Sequence, residues 1–517
     1  MPRVRSSDSG KWLGLTLVVA LAAGAYVNSV GNGFVMDDNG AIGANPAVAG
    51  SFAPRTIFAR DFRGGARSLP GGSLTSAYRP VVSLDFALDE QLGHGPAWTF
   101  HFGNLVWHVL VCALLYLALR ASPSVSFPVA LAAAALFAVH PLHTDAVSSV
   151  VGRADVLAAL SSLLVFWLHR RASRTAALAG AFVLLCGLLC KESAIVVLPV
   201  VLLADVRRGE LRVKWPRWAG YVVAFVVAEG LRWRVVGDLG SPPTTTANAL
   251  AALSWPLRAW AGLGLFAHAL GLHALPLELL PDYGPNVVTT ASGVTSPLVG
   301  LAAATGLAYV IARNWRDPAP WADAAAFVLV PGLLACNVIV ALPGAFAERW
   351  WYLPSAGVCL LAAAAAAELA RRAQHAWIVW IGWTLVTAGF FVITVRRNRD
   401  WRSDEALFVS AVVTAPENAF AQFQLGVILD RQERLDEALL HYRAAEALQP
   451  HWSEPPAAAA VVLARLGHDA DADAAFARML AAGHVSRRAR ANYVLYLRNH
   501  GRAADAAVIE HDGQTAP

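Results

Sequence analysis

The sequence predicts an all-α chain: a polytopic membrane domain of about eleven spans over residues 1–400, then a short helical-repeat domain over 401–517. Three observations predict it. The 517 residues are 56% hydrophobic and 15% charged, against roughly 25% charged in a soluble domain. Apolar runs close to the length of a spanning helix alternate with short basic clusters. After Trp401 the chain becomes polar, alanine-rich and periodic as a helix.

The apolar runs lie at residues 12–30, 104–119, 127–139, 156–169, 175–190, 194–206, 218–236, 294–312, 322–342, 353–369 and 377–395. Some fall short of the about 20 residues a span needs, so their ends extend into the polar blocks. Lys and Arg in the short loops orient them. Arg3, Arg5 and Lys11 precede the first run, and the clusters at 169–174, 207–217, 313–316 and 371–372 follow later ones. Placed in the cytoplasm, these leave the loop 31–101, the block 140–155 and Lys191-Glu192 on the extracytoplasmic side. The apolar interval 248–274 must then cross an even number of times, which suggests a re-entrant or surface-lying helix, or a hairpin. Arg396, Arg397, Arg399 and Arg402 oppose this scheme, because the same rule sends them inside.

The formal net charge of +5 is dispersed between apolar runs, which argues against nucleic-acid binding. Cys112, Cys186, Cys190, Cys336 and Cys359 all lie within apolar segments and read as small core residues, not as a disulfide framework. Past residue 401, the stretch from Ala419 reads AFAQFQLGVILDRQERLDEALLHYRAAEALQP. Its Leu425, Gly426, Leu429, Ala438, Tyr442, Ala445 and Pro450 stand at the offsets of a tetratricopeptide repeat. Ala472 and Phe476 mark a weaker second copy, and residues 487–509 a partial third.

Ionisable residues at the edge of hydrocarbon persist mainly where they line a wet cavity and handle a charged substrate. Asp37 and Asp38, in FVMDDNGAI after the first run, can supply a general base for an acceptor hydroxyl, the second acid positioning it or binding a metal. The plainer role is a helix cap by Asp38. Arg79 precedes Pro80 in SAYRPVVSLDFAL. His101, Asn104 and His108 share one helix face, where they contact a head group or hydrogen-bond between helices.

The block AVHPLHTDAVSSVVGRADVLAAL carries His140, His143, Asp145, Arg153 and Asp155. His140, His143 and Asp145 are candidate ligands of a divalent metal, although Pro141 interrupts the turn that would align the imidazoles. The other reading gives His143, Asp145, Arg153 and Asp155 to sugar or phosphate, or pairs Arg153 with Asp155. Lys191-Glu192 and Glu348-Arg349 either neutralise each other or join the same site. Trp350, Trp351 and Tyr352 suit an interfacial belt better than sugar stacking. No Walker loop or dinucleotide fingerprint occurs.

MDDNGAI, YRPVVSLDFAL, FHFGNLVWHVL, ALFAVHPLHTDAVSSVVGRADVLAAL, LCKESAIVVLPVVLLADV, AERWWYLPSAG and RNRDW, followed by the repeats, resemble the transmembrane and tetratricopeptide-repeat-containing family of protein O-mannosyltransferases, here as a bacterial relative. The resemblance implies a C-type glycosyltransferase fold in the inner membrane. It implies a polyprenyl-phosphate sugar donor, mannose in particular, used at the extracytoplasmic face, with the repeats on that side. By the same likeness Asp37 and Asp38 match the acidic pair where the base is expected. Arg79, His143, Asp145, Arg153, Asp155, Lys191, Glu348 and Arg349 match other polar motif positions. The repeat array is much shorter than in animal members.

The expected function is therefore sugar transfer from a lipid phosphate to a hydroxyl of a protein or glycan acceptor. The lipid bilayer, and a protein partner through the repeats, complete the expected partners. Rival readings are a non-catalytic repeat scaffold, or a transporter of an anionic or metal substrate.

Overall fold

The computed structural model describes all residues except 1–7, 51, 66–76, 94, 238–247, 285–286, 288–294, 318, 483–484 and 516–517. Arg3, Arg5 and the first residue of the run at 294 thus lie outside the described residues. The chain divides into two compact units, one of residues 1–243, 253–279 and 292–403, the other of 244–252, 280–291 and 404–517.

In the first unit the expected apolar runs are helical over their described residues, except that the helix in the run 322–342 stops at Ala335 and residues 336–342 are not helical. The helices are α1 (Asp8–Tyr26), α2 (Pro54–Phe58), α3 (Pro80–Gly93), α4 (Ala97–Arg120), α5 (Phe127–Ala138), α6 (Thr144–Val147), α7 (Arg153–His169) and α8 (Arg174–Cys190). There follow α9 (Val197–Arg208), α10 (Leu211–Val236), α11 (Trp255–Ala274), α12 (Thr295–Arg313), α13 (Trp321–Ala335), α14 (Tyr352–Arg372) and α15 (Ala376–Arg397). Among the described residues, no strand is present, and five helices are long and apolar enough to cross a membrane: Gly10–Gly31, Ala97–Arg120, Ser296–Arg313, Glu348–Arg372 and Ala376–Arg402.

Two features depart from a row of straight spans. Between α5 and the segment Pro141–Val147 the chain bends by 47°. Pro141 has no N–H to continue the ladder, and carbonyls at the break accept hydrogen bonds from neighbouring helices. Tyr26 Oη donates to the His140 carbonyl at 3.0 Å, and Thr394 Oγ1 to that of Val139 at 2.7 Å. The interval 248–274 holds one unbroken helix of 20 residues, α11, which corrects the hairpin reading.

Glycines set the close helix contacts. A Cβ on Gly300 of α12 would stand 1.8 Å from the Leu263 carbonyl oxygen of α11. One on Gly357 of α14 would stand 2.4 Å from that of Ala324 in α13. Without water to squeeze out, apolar helices associate by such backbone approach.

The second unit is built of antiparallel helix pairs: Ala419–Arg431 with Leu435–Leu448, Glu454–Arg465 with Asp469–Ala481, and Arg487–Asn499 with Ala503–Thr515. Gly426 leaves room for the Tyr442 ring, which a Cβ would approach to 2.7 Å. Ala438 and Ala472, one repeat apart, are both buried, as are Tyr442 and Phe476. Asn418 caps its helix through Ala421 N–H and also donates to the Asp282 carbonyl at 2.9 Å, holding the earlier segment in this unit.

Candidate active site

After α1 and a short turn, Val27–Gly31, the chain adopts a left-handed conformation at Met36, φ 50°. That conformation costs a non-glycine residue roughly 1–2 kcal/mol. It separates the fates of the next two acids. Asp38 is fully buried: its Oδ2 accepts from Val35 N–H at 3.1 Å and its Oδ1 from Val151 N–H at 2.9 Å. Burial pushes its carboxyl up to about 7, against the lowering effect of those backbone donors. The Asp37 side chain is 55% exposed and meets Arg63 Nη2 at 2.6 Å.

A backbone hydrogen bond beside Arg63 brings in a further cation. Phe62 N–H donates to the Ala77 carbonyl at 2.9 Å, and the Arg79 guanidinium lies 4.9 Å from the Phe62 ring centre. Among the described residues Arg79 has no carboxylate partner, and its Nε is buried without a hydrogen bond. The cations around it are already matched. Lys191 Nζ meets both oxygens of Asp155 at 2.6 and 2.7 Å. Arg349 Nη1 meets Asp145 Oδ1 at 3.1 Å, and its backbone N–H donates to Asp145 Oδ2 at 3.0 Å. These pairs form one electrostatic group: Lys191 lies in the field of Asp155, Arg79 and Arg349, and Arg349 in that of Asp145, Asp155 and Asp37.

Sequence-adjacent pairs do not neutralise each other. Lys191 takes Asp155 while Glu192 faces Arg232 at 3.7 Å, and Arg349 takes Asp145 while Glu348 is buried. Nor does Arg153 pair with Asp155. Arg153 is fully buried, and Nε reaches Asn104 Oδ1 at 2.6 Å, Nη1 reaches Asp85 and Asp89 at 2.6 and 2.5 Å, and Nη2 reaches the Phe100 carbonyl at 2.5 Å.

His143 is an interior ring, packed 4.5 Å from Phe137 and 4.6 Å from Tyr352 between ring centres. His140 Nδ1 accepts from Leu142 N–H, and its Nε2 meets the His273 carbonyl. With Asp145 on Arg349, the three proposed metal ligands do not converge, and no group of three ligating side chains occurs among the described residues. His101, Asn104 and His108 bond to Gly33, to Val147 with Ser149, and to Tyr352 with Ala138, which is the helix-to-helix role. Arg63, Asp85 and Asp89 carried no signal in the sequence beyond their charge.

No family model matches the chain. Curated relatives do, and they agree with the resemblance read from the motifs. A protein O-mannosyl-transferase of Caenorhabditis elegans is 27% identical over 451 residues, 85% of this chain and 63% of the relative. One from Homo sapiens is 28% identical over 509 aligned residues, 87% of this chain and 57% of the relative. One from Drosophila melanogaster is 37% identical over a shorter stretch of 230 residues, 39% of this chain and 24% of the relative. The chain thus spans about three-fifths of the length of the first two relatives.

Proposed function

We propose that this membrane chain is a glycosyltransferase that moves mannose from a polyprenyl-phosphate donor to a hydroxyl of a protein acceptor at the extracytoplasmic face. The observation that carries this reading is an accessible carboxylate, Asp37, in one electrostatic group with a cation, Arg79, that no carboxylate among the described residues neutralises. The names of the relatives supply the sugar and the acceptor class.

In this mechanism Asp37 accepts the proton of the acceptor hydroxyl while its oxygen attacks the anomeric carbon. The bond from that carbon to the phosphate oxygen breaks, and the lipid phosphate leaves with the electron pair. Arg79 holds two phosphate oxygens through its planar fork. Lys191 and Arg349, restrained by Asp155 and Asp145, add positive potential where charge develops. Asp38, enclosed and hydrogen-bonded, orients the loop instead of taking the proton. A metal-substrate transporter finds no support, since His140, His143 and Asp145 do not form a cage.

The test is transfer from a labelled mannosyl lipid phosphate to a serine- or threonine-rich peptide. Asp37→Asn should lower kcat by about 100-fold or more with donor binding retained, and Arg79→Gln should raise the donor KM. Full activity in Asp37→Asn overturns the assignment.

A further inference from the structure

One stretch of chain, residues 147–155, holds Asp38 through Val151 N–H, the helix α3 through Arg153, and Lys191 through Asp155. Asn104 of α4 supports the turn from below, its Nδ2 donating to the carbonyls of Val147 at 3.1 Å and Ser149 at 2.8 Å. Gly152 is required there, because a Cβ would stand 2.4 Å from the Ala146 carbonyl oxygen.

Arg153 donates three hydrogen bonds inside the protein, to Asn104, Phe100 and Asp85, and makes an ion pair with Asp89. Its guanidinium also lies 4.6 Å from the Phe86 ring centre, between the two acids in sequence. Asp85 Oδ2 accepts a second bond from Trp107 Nε1 at 2.9 Å. A Cβ on Gly103 would stand 2.6 Å from Arg153 Nη2 and 2.8 Å from Asp89 Oδ2, so the glycine gives the pair its space. All of this fastens one short helix, α3, to α4 and α7. The residue that opens α3 is Pro80, and the residue before it is Arg79.

We infer that Arg153, with Asp85 and Asp89, is a positioning clasp that fixes α3 and thereby holds Arg79 in the anion-binding cluster. Arg153 itself touches no substrate. This rests on the proposed function for the identity of the anion, a lipid phosphate, and on the geometry alone for the clasp. Burial pushes Asp89 up to about 6 against the lowering effect of Arg153, and the neighbouring charge of Asp85 adds a smaller push in the same direction. The charged and titratable groups facing it are Arg153 from α7, Asp85 from α3 and, through Arg153, His101 from α4.

The experiment uses the full chain in nanodiscs and reads two quantities, binding of a polyprenyl phosphate without sugar and transfer from the mannosyl lipid. Arg153→Gln should weaken binding and raise the donor KM, with transfer falling by about 100-fold, the cost of a misplacement of about 1 Å, and the acceptor KM unchanged. In that background, Gly103→Cys with Asp89→Cys should restore both quantities once the disulfide forms, because the cross-link replaces the clasp. A cross-link that forms and restores nothing overturns the proposal, as does an Arg153→Gln protein that binds normally. Wild-type protein that binds the lipid phosphate without transferring sugar would remove the functional reading and leave the clasp to be judged on binding. Wild-type protein that does neither removes both.

Discussion

At the scale of single residues, a left-handed turn at Met36 decides which of two adjacent acids meets solvent. Asp38, enclosed by backbone donors from Val35 and Val151, retains a proton in the folded protein up to about pH 7. In an unfolded chain it would lose that proton near about 4. The folded state therefore binds more protons than the unfolded state across that window. The stability this contributes is fully present below about 4 and is lost as pH rises through about 7. Thermal unfolding in detergent should fall in midpoint from about pH 5 to about pH 8, and Asp38→Asn should flatten that slope. An unchanged slope in the variant would assign the titration elsewhere. The acidic pair was legible in MDDNGAI, and so were Lys191, Arg349, Asp145 and Asp155 as members of a charged face. Their partners were not. Side chains of consecutive residues diverge, so Lys191 reaches Asp155 and Arg349 reaches Asp145 instead of the neighbour each adjoins in sequence. Arg153 looked like a phosphate ligand because its charge was visible while its interior partners, drawn from α3 and α4, were not.

At the scale of elements, hydropathy located the helices well, since burial against lipid or protein demands continuous apolar sequence. It was poorer on what interrupts or extends them. The 47° bend before Pro141 was foreshadowed by the proline, but the unbroken length of α11 was hidden by Arg258, His268 and His273, which dilute its hydropathy. Two glycines test the packing. Gly300→Ala drives a methyl group into the Leu263 carbonyl, and Gly152→Ala drives one into the Ala146 carbonyl. Each should cost about 1–3 kcal/mol as overpacking, read as a lower unfolding midpoint. They should differ in function. Gly300→Ala separates α11 from α12 and should leave lipid-phosphate binding intact, whereas Gly152→Ala disturbs the turn that holds Asp38, α3 and Lys191 and should weaken it. Equal binding in the two variants would deny that turn its organising role.

At the scale of the membrane unit, the arginines after the last span pose the sharpest conflict between a sequence rule and geometry. Arg396, Arg397, Arg399 and Arg402 would be cytoplasmic by charge alone. Yet the end of α15 is stitched to the end of α1. Asn28 Nδ2 donates to the Val395 carbonyl at 2.8 Å, Asn32 Nδ2 to that of Asn398 at 2.9 Å, and Gly33 N–H to that of Arg402 at 3.1 Å. Asn398 also accepts from Ser148 Oγ at 2.8 Å, beside the candidate site. The basic cluster and the acidic pair therefore share one end of the helices. Arg397 is buried and pairs with Asp400, so part of the cluster is not free to report topology at all. The opposite end has its own fastening, where Arg207 and Arg208 share Asp323, and His169 meets Asp205. Helix α7 runs from Arg153 to His169, 17 residues and about 25 Å, between the two ends. Single-cysteine reporters at Asn39 and Ser403 should thus label together with a membrane-impermeant maleimide on intact cells. Reporters at Ser122 and Ser173 should label only after permeabilisation. Four of the native cysteines are buried and Cys186 is half-buried, which keeps the background low. Labelling of Asn39 and Ser403 from opposite sides would break the bundle described here. Labelling of both only from the cytoplasm would keep the bundle and move the proposed transfer to the other face of the membrane.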